Sequence, residues 1–191
     1  MLFRSQVPGH HNLLNAACVL ATGLKLGFTA AELLTGLSTF RGTGRRFELK
    51  GTVHGIRVID DYGHHPTELQ VTLEAARRYA GDGRLIVIFQ PHRYSRTLAF
   101  AQGFADVLDT ADRAIVLEVY AASEKPIDGV TSKLITSKMS NGEYIPNFVE
   151  VTDSVIAMAE PGDVIMTLGA GDVSSLAPII VDGLTRRFEQ S

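Results

Sequence analysis

Apolar residues recur along the chain with two alternating periods, and the changes of period divide it into elements. Residues 12–26 have mostly helical spacing, with Gly27 as a natural terminator. Thr29 is suited to cap a second helix, AAELLTGLSTF, because Glu32 completes a capping box three residues later. The segments FELKG and GIRVID then alternate or run apolar between glycines, which predicts two strands related as a hairpin.

After Pro66 helical and strand patterns alternate to the end of the chain. TELQVTLEAARRYA predicts a helix, RLIVIFQ a strand, SRTLAFAQGFADVLDTA a helix and RAIVLEVY a strand. We then expect a helix in VTSKLITSKM, a strand at 144–149, a helix at 154–159, the strand DVIMTLG and a helix at 173–188. This alternation predicts an α/β fold, a Rossmann-like, doubly wound and mostly parallel sheet buried on both faces. Ligands of such sheets gather at the carboxyl ends of the strands.

The first part of the chain does not follow this repeat. Two helices alone have too little partner surface to form an independent domain. We therefore predict that residues 1–46 are the edge of a neighbouring domain and that residues 47–191 form the α/β domain. On this interpretation the chain is part of a longer protein.

Composition removes several classes of function. The 191 residues are 45% hydrophobic and carry a formal net charge of −3, so neither nucleic acid nor an anionic membrane is an expected partner. No apolar run has the length of a membrane span and no signal peptide is evident, which predicts a cytoplasmic location. The single cysteine, Cys18, lies in an apolar run and is expected to pack on a buried helix face.

The first polar cluster, IDDYGHHPTE, follows a predicted strand directly. It places Asp61, Tyr62, His64 and His65 in a turn stiffened by glycine and proline. Two acids and two imidazoles could bind a metal ion, contact a ligand, or cap the helix that begins at Pro66. The residues alone leave these three interpretations open.

The second cluster, FQPHRYSRT, also follows a strand and contains His92, Arg93 and Arg96. Arginine is permanently charged and matches carboxylate or phosphate, and a helix N-terminus adds donors of the same polarity. An anionic ligand is the natural partner, with a solvated basic turn as the alternative.

Two glycine-containing segments complete the candidates. RGTGRRFE places Arg45 and Arg46 in a flexible stretch, but the chain has no P-loop motif. In TLGAGDVSSL, Gly169 and Gly171 lie between a strand and a helix, although Ser174 replaces the last glycine of a dinucleotide fingerprint. No hydrolase triad and no zinc spacing is present, so we predict no metal ligands in this chain.

Taken together and in this order, these motifs resemble the Mur ligases. The similarity rests on GHHNLLNAA, RGTGRRFE, DDYGHHPTE, FQPHRYSRT and GAGD, and extends over essentially the whole chain. The combination DDYGHHP with PHRYxRT is similar to the members that add L-alanine. The related ligase that recycles murein tripeptide is the nearest alternative, but it tends to have a different pair at Tyr62 and Gly63.

The resemblance implies a three-domain enzyme with a UDP-sugar domain, a central P-loop ATPase domain and a C-terminal Rossmann-like domain. Residues 1–46 would then be the last helices of the central domain, and residues 47–191 the amino-acid-binding domain. The reaction implied is ATP-dependent joining of L-alanine to UDP-N-acetylmuramate through an acyl phosphate, with Mg²⁺ held mainly by the central domain. Because the P-loop is absent from this chain, it is expected to be inactive alone. The oligomeric state is left open.

The resemblance also implies roles for individual residues. His11, Asn12 and Asn15 would contact the adenine region of ATP, Arg46 its phosphates and Asp61 its ribose. Tyr62, His64, His92, Arg93 and Arg96 would face the amino acid and the acyl phosphate. As catalytic groups we predict this set: Arg46, His64, His92, Arg93 and Arg96. Two other functions remain open, namely a stand-alone nucleotide-binding module and, less favoured by the incomplete glycine fingerprint, an NAD-dependent oxidoreductase.

Overall fold

The computed structural model describes residues 6, 7 and 9–189, apart from the side chain of His11. Two helices come first, α1 (His10–Lys25) and α2 (Ala30–Thr39). The elements that follow are β1 (Glu48–Val53), β2 (Ile56–Asp61), α3 (Pro66–Ala80), β3 (Leu85–Phe89), α4 (Tyr94–Leu108), β4 (Arg113–Val116), α5 (Lys133–Thr136), β5 (Gly142–Tyr144), α6 (Phe148–Met158), β6 (Val164–Leu168), a 3-10 helix (Asp172–Ser175) and α7 (Leu176–Glu189).

The strands form one sheet in the order β1-β2-β6-β3-β4-β5. All neighbours pair in parallel except β1, which forms an antiparallel hairpin with β2 at one edge. The hairpin turn consists of His54 and Gly55, both with positive φ, as a two-residue turn between twisted strands requires. The predicted α/β class and the predicted hairpin are confirmed.

Helices cover both faces of the sheet. On one face α3, α4 and α5 pack on the side chains of alternate strand positions, with Phe89 and Phe104 in ring contact at 5.1 Å. On the other face α6 and α7 pack on the intervening positions, including Val58, Ile88 and Ile165. The strands β3 and β6 are buried at every residue because both of their faces are covered.

Local chemistry sets the ends of the helices that flank the site. Thr29 and Glu32 form the predicted capping box of α2. At the start of α3, His65 accepts a hydrogen bond from the Thr67 backbone and Pro66 occupies the first helical position, where no N–H is needed. His65 is therefore a capping residue, one of the interpretations left open for its motif.

Several expectations were wrong in detail. The strand expected over RAIVLEVY ends at Val116, and the helix expected at 154–159 begins already at Phe148. The strand expected at 144–149 ends at Tyr144, because Asn147 accepts hydrogen bonds from two backbone N–H groups and starts α6 at Phe148. Only four residues of VTSKLITSKM are helical. Cys18 is exposed, because α1 contacts α2 through a different face, at Gly23 against Leu33.

Candidate functional site

The carboxyl ends of three adjacent strands bring distant motifs together. β2 ends at Asp61, β6 at Leu168 and β3 at Phe89, and the three strands are neighbours in the sheet. The Gln90 backbone donates to the Leu168 carbonyl and the Gly169 backbone to the Asp61 carbonyl, at 2.9 and 3.1 Å. The segments that follow these strands therefore start side by side.

Two histidines and an arginine lie next to one another at this edge. The rings of His64 and His92 are 5.6 Å apart, although the two residues follow different strands. A terminal nitrogen of Arg96 lies 3.2 Å from Nδ1 of His92 and donates to the His92 carbonyl at 3.3 Å. We call Tyr62, His64, His92, Arg96 and Tyr120 the edge cluster.

The fold fixes His64 from two sides. Its ring nitrogen Nδ1 is 3.0 Å from the Tyr62 carbonyl and 3.5 Å from Glu68, and its backbone N–H donates to Glu68 at 2.9 Å. Burial opposes ionisation of Glu68, but the His64 backbone and the nearby charges of His64 and Arg46 outweigh it and lower the pKa of Glu68. Glu68 thus remains an acceptor that orients His64.

The surroundings of His92 disfavour its charged form. Burial, and then the neighbouring His64, Arg96 and Arg93, lower the pKa of His92, while Glu124 acts weakly in the opposite direction. A neutral imidazole can accept a proton or a hydrogen bond, which an imidazolium cannot. The site therefore holds an acceptor nitrogen beside a permanently charged guanidinium.

Tyr62 joins the edge cluster to the two arginines of the RGTGRRFE motif. Its ring makes an edge contact with His64 at 5.3 Å, and the guanidinium groups of Arg45 and Arg46 stand over it at 5.0 and 5.5 Å. Arg45 is also held by Asp60 and by the Gly169 carbonyl, so it serves the structure. Arg46 is exposed and forms no ion pair within the described residues.

A cavity of about 880 Å³ lies on the other side of Arg46. Its walls come from α1, from α2, from the segment between α2 and β1, and from Asp61 of β2 and Thr72 of α3. Four of the predicted nucleotide residues line it, namely Asn12, Asn15, Arg46 and Asp61. Most of its remaining lining is apolar, with Phe28 and Phe40 among the side chains, and its volume is that of a small-molecule site. The side chain of His11 lies outside the described residues.

Asp61 forms the floor of this cavity and is 4% exposed. One carboxylate oxygen accepts the Gly63 N–H at 2.8 Å and the other accepts the Phe47 N–H at 2.8 Å. Burial raises the pKa of Asp61 in spite of these hydrogen bonds. Because a carboxylate has about four acceptor positions, capacity remains for a ligand hydroxyl.

The described residues do not fit a metal site. No group of three or more His, Cys, Asp or Glu side chains in residues 9–189 is placed to hold an ion. Asp60 and Asp61, the adjacent carboxylates, are already bound to Arg45, Thr167 and backbone N–H groups. Nor does any helix in the described part of the chain have the length and apolar character needed to span a bilayer.

The glycine turn after β6 allows two chain segments to approach closely. Gly169 has φ 146°, and a β-carbon there would lie 2.7 Å from the Gln90 carbonyl. At Gly171 a β-carbon would overlap Oε1 of Gln90 and the ring of Tyr120. These glycines are explained by packing against β3 and the loop after β4, without a bound phosphate.

The structure brings most predicted residues together, in two adjoining groups. Tyr62, His64, His92 and Arg96 meet in the edge cluster, and Arg93 lies at the first turn of α4 with φ 76° and an exposed side chain. Arg46 lies between this cluster and the cavity. Their roles toward ligands stay predictions.

Two residues at the site were missed by sequence reasoning. Tyr120 stacks on His92 with ring centroids 5.7 Å apart, and Glu124 binds the start of α4. Both lie in the loop that follows β4. Tyr120 was expected to be the last residue of the strand RAIVLEVY and Glu124 to follow it, and these positions alone do not single out particular residues.

Known proteins resemble this chain in family profile, in amino-acid sequence and in structure. The family profile described as "Mur ligase, glutamate ligase domain" matches residues 45–171. The UDP-N-acetylmuramate–L-alanine ligase of Paenarthrobacter aurescens is 51% identical over 179 residues, covering 94% of this chain and 39% of that protein. The chain thus spans about two fifths of the length of the curated relatives it matches.

Solved structures have the same fold. The UDP-N-acetylmuramate–alanine ligase of Thermotoga maritima superposes with a TM-score of 0.80 at 31% identity, covering 99% of this chain and 40% of its own. A murein peptide ligase from Psychrobacter arcticus superposes with a TM-score of 0.70 at 24% identity, over 97% of this chain and 39% of its own. At that identity the second likeness bears on the fold alone.

Proposed function

This chain belongs to the Mur ligase family, and on that premise we propose that it is the amino-acid-binding part of an ATP-dependent UDP-N-acetylmuramate:L-alanine ligase. In such an enzyme ATP phosphorylates the lactyl carboxylate of the sugar nucleotide and ADP leaves. The amine of L-alanine then attacks the acyl phosphate, so that an amide forms and phosphate and a proton are released.

One observation supports this assignment above the others. The cavity and the edge cluster are joined by Arg46 and Tyr62, since Arg46 lines the cavity and stands over the Tyr62 ring, which contacts His64. A phosphate passed from a nucleotide in the cavity to a carboxylate at the edge cluster would remain beside a cation throughout. Preorganised cations stabilise the charge that develops in phosphoryl and acyl transfer.

On the nucleotide side we assign the adenine contacts to His11, Asn12 and Asn15. The two asparagines line the cavity beside apolar side chains, an arrangement suited to a flat base with a few polar edges. Asp61 would accept from a ribose hydroxyl and Arg46 would bind the phosphates. Mg²⁺, which this chemistry uses, would take its ligands from outside the described residues.

On the amino-acid side Arg93 and Arg96 would bind carboxylate and acyl phosphate oxygens, while Tyr62 and His64 line the approach. His92 would accept the proton that the attacking amine loses, because its lowered pKa leaves it neutral near neutral pH. Closure of this part over the remaining enzyme would exclude water from the acyl phosphate. Such a ligase would work in the cytoplasm.

The test is a chimeric enzyme. The 179-residue matching region of the Paenarthrobacter aurescens ligase is replaced by this chain, and alanine-dependent phosphate release is measured with ATP, Mg²⁺ and UDP-N-acetylmuramate. We expect the chimera to form the L-alanine amide and the isolated chain to form none. An inactive but folded chimera, or one that prefers a tripeptide to L-alanine, would contradict the proposal.

Arg96 provides the residue-level test within the chimera. Arg96→Ala is expected to lower turnover by about 100-fold, the cost of losing one group that stabilises developing charge, with the fold intact. Arg78→Ala is the matched control, because Arg78 is an exposed arginine on α3 outside the site. Near-normal turnover of Arg96→Ala would remove Arg96 from the catalytic machinery.

Calorimetric titration separates this function from a stand-alone nucleotide-binding module. We expect a nonhydrolysable ATP analogue with L-alanine to bind the chimera and to bind the isolated chain weakly at best. Tight nucleotide binding by the isolated chain would favour the module instead.

A further inference from the structure

The loop after β4 returns to the edge cluster and binds the first turn of α4. This loop comprises residues 117–131. Its backbone forms a parallel bridge between Tyr120 and His92, with Tyr120 donating to the Pro91 carbonyl and Arg93 donating to the Tyr120 carbonyl, both at 2.8 Å. The Tyr120 ring stacks on His92, with an angle of 15° between the planes.

Glu124 makes the second attachment of the loop. Its carboxylate accepts the Ser95 N–H at 3.0 Å and the Ser95 hydroxyl at 2.6 Å. Arg93 at the N-cap of α4 has no side-chain capping bond, so the acceptor for this helix end comes from the loop. Arg93 and Arg96 flank Ser95, and the carboxylate thereby fixes the turn that carries both cations.

The backbone before Glu124 is strained in a way that serves this contact. Ala122 has φ 46° and Ser123 has φ 71°, so two consecutive residues with β-carbons occupy the left-handed region. Such conformations cost free energy and persist where the surrounding structure holds them. Here they turn the chain so that Glu124 points back to α4.

The far end of the loop is anchored independently. Glu118 accepts hydrogen bonds from the Val119 backbone, from Ser132 and from the Tyr144 hydroxyl, the last at 2.5 Å. The base of the loop is thus closed by Glu118 and Ser132, and its middle is attached to α4 by Glu124. A loop held at these two places can transmit position to the residues it contacts.

From these contacts we infer that Glu124 is a positioning residue for amino-acid binding. It holds the first turn of α4 through Ser95, and the loop that carries it stacks Tyr120 on His92, so that Arg96 and His92 present a fixed pair of cation and acceptor to the incoming amino acid. The inference rests on the proposed function for the identity of the ligand. The bond of Glu124 to Ser95 and its electrostatic effect on His92 are properties of this chain, so they can be measured without any substrate.

Five charged or titratable groups surround His92. His64 faces it from the turn before α3, Arg93 and Arg96 from α4, and Tyr120 and Glu124 from the loop after β4. Of these, only Glu124 favours the charged form of His92. Removing its charge therefore changes His92 in one direction, downward in pKa, whereas loosening of the fold would expose His92 and move its pKa upward toward the ordinary value.

The first experiment is an NMR titration of the histidine rings in the 191-residue chain. Glu124→Gln keeps an oxygen acceptor for Ser95 and removes the charge, so we expect a downward shift of the His92 pKa. Asp109→Asn is the matched control, because Asp109 is an exposed carboxylate that accepts from the Ser140 backbone at the opposite end of α4. An unchanged or raised His92 pKa in Glu124→Gln would overturn the inference.

The second experiment measures KM and kcat for L-alanine in the chimeric ligase. Glu124→Ala is expected to raise KM by about tenfold, the order expected for loss of a helix cap, and to lower kcat as well, because His92 and Arg96 also act in the chemical step. Glu124→Gln should recover about half of that effect on a logarithmic scale, and Asp109→Ala should leave KM unchanged. A wild-type KM in Glu124→Ala would refute the positioning role while leaving the ligase assignment intact.

The two proposals fail separately. If the unmutated chimera is inactive, the proposed function fails, and the NMR titration alone then decides whether Glu124 holds His92. If the chimera is active and both Glu124 variants behave as wild type, only the positioning role fails.

Discussion

Replacing Arg45 by alanine is expected to destabilise the fold far more than the same change at its neighbour Arg46. Arg45 donates from Nε to Asp60 at 3.1 Å and from a terminal nitrogen to the Gly169 carbonyl at 2.6 Å. The Asp60 side chain is fully buried, and its other oxygen accepts the Thr167 hydroxyl at 2.7 Å. Removing the guanidinium therefore leaves a buried carboxylate with much less compensation.

The size of the effect follows from this burial. Truncating one partner of a fully buried ion pair costs about 3–5 kcal/mol. The Arg45 side chain is 29% exposed, so water can enter its place, and we expect a loss of about 2–3 kcal/mol in the free energy of unfolding. The exposed Arg46 side chain stands over the Tyr62 ring and interacts with Asp61 and Glu68 only through its charge, without an ion pair in the described residues, so Arg46→Ala should cost about 0.5 kcal/mol.

Urea denaturation followed by circular dichroism is the assay, because the chain has no tryptophan for fluorescence. The slope of the free energy against urea should be the same in both variants, so that the midpoints report stability. Combining Arg45→Ala with Asp60→Asn should recover part of the loss, since a neutral amide is cheaper to bury than a carboxylate. Equal losses for Arg45→Ala and Arg46→Ala would refute the assignment of Arg45 to structure and Arg46 to the site.

Three further predictions concern the surroundings of the site. Ser123→Gly should stabilise the chain by about 0.5 kcal/mol in urea denaturation, because glycine adopts φ 71° without strain but costs more chain entropy. Gly171→Ala should destabilise it by about 1–3 kcal/mol in the same assay, since the added carbon overlaps Gln90 and Tyr120. Burial and the hydrogen bond to Glu118 raise the pKa of Tyr144 to about 12 from an ordinary value of 10.0, so the folded state keeps the phenol proton longer than the unfolded state. Stability should therefore fall as pH rises from 10 to 12, a loss that Tyr144→Phe removes when unfolding is measured across that range.

The sheet was predictable because its determinants are local. Each buried strand is a short apolar run. The turn residues next to the strands mark where they end, since Gly55 adopts a positive φ in the hairpin turn and Pro66 begins a helix. The predicted element boundaries were wrong where a single side chain determines where an element begins. Asn147 caps α6 and shortens β5, although the residues on either side read equally well as a strand.

The site was predictable only as far as it is made of contiguous motifs. His64 and His92 each follow an apolar strand, and parallel strands bring such positions to one edge. Their 5.6 Å separation, however, depends on β6 lying between β2 and β3, which no local pattern specifies. Tyr120 and Glu124 depend in addition on a loop conformation with two left-handed residues.

Two pairs of arginines in the described residues differ in how their charges are balanced, and the difference bears on function. Arg45 and Arg84 form ion pairs with the buried carboxylates of Asp60 and Asp163, so their charges are balanced inside the fold. Arg93 and Arg96, within the described residues, have no carboxylate at ion-pair distance and lie at the carboxyl edge of the sheet beside a largely neutral imidazole. A fold that balances Arg45 and Arg84 internally and leaves Arg93 and Arg96 without a carboxylate partner at one edge provides a place for an anionic ligand, as the proposed ligase activity requires.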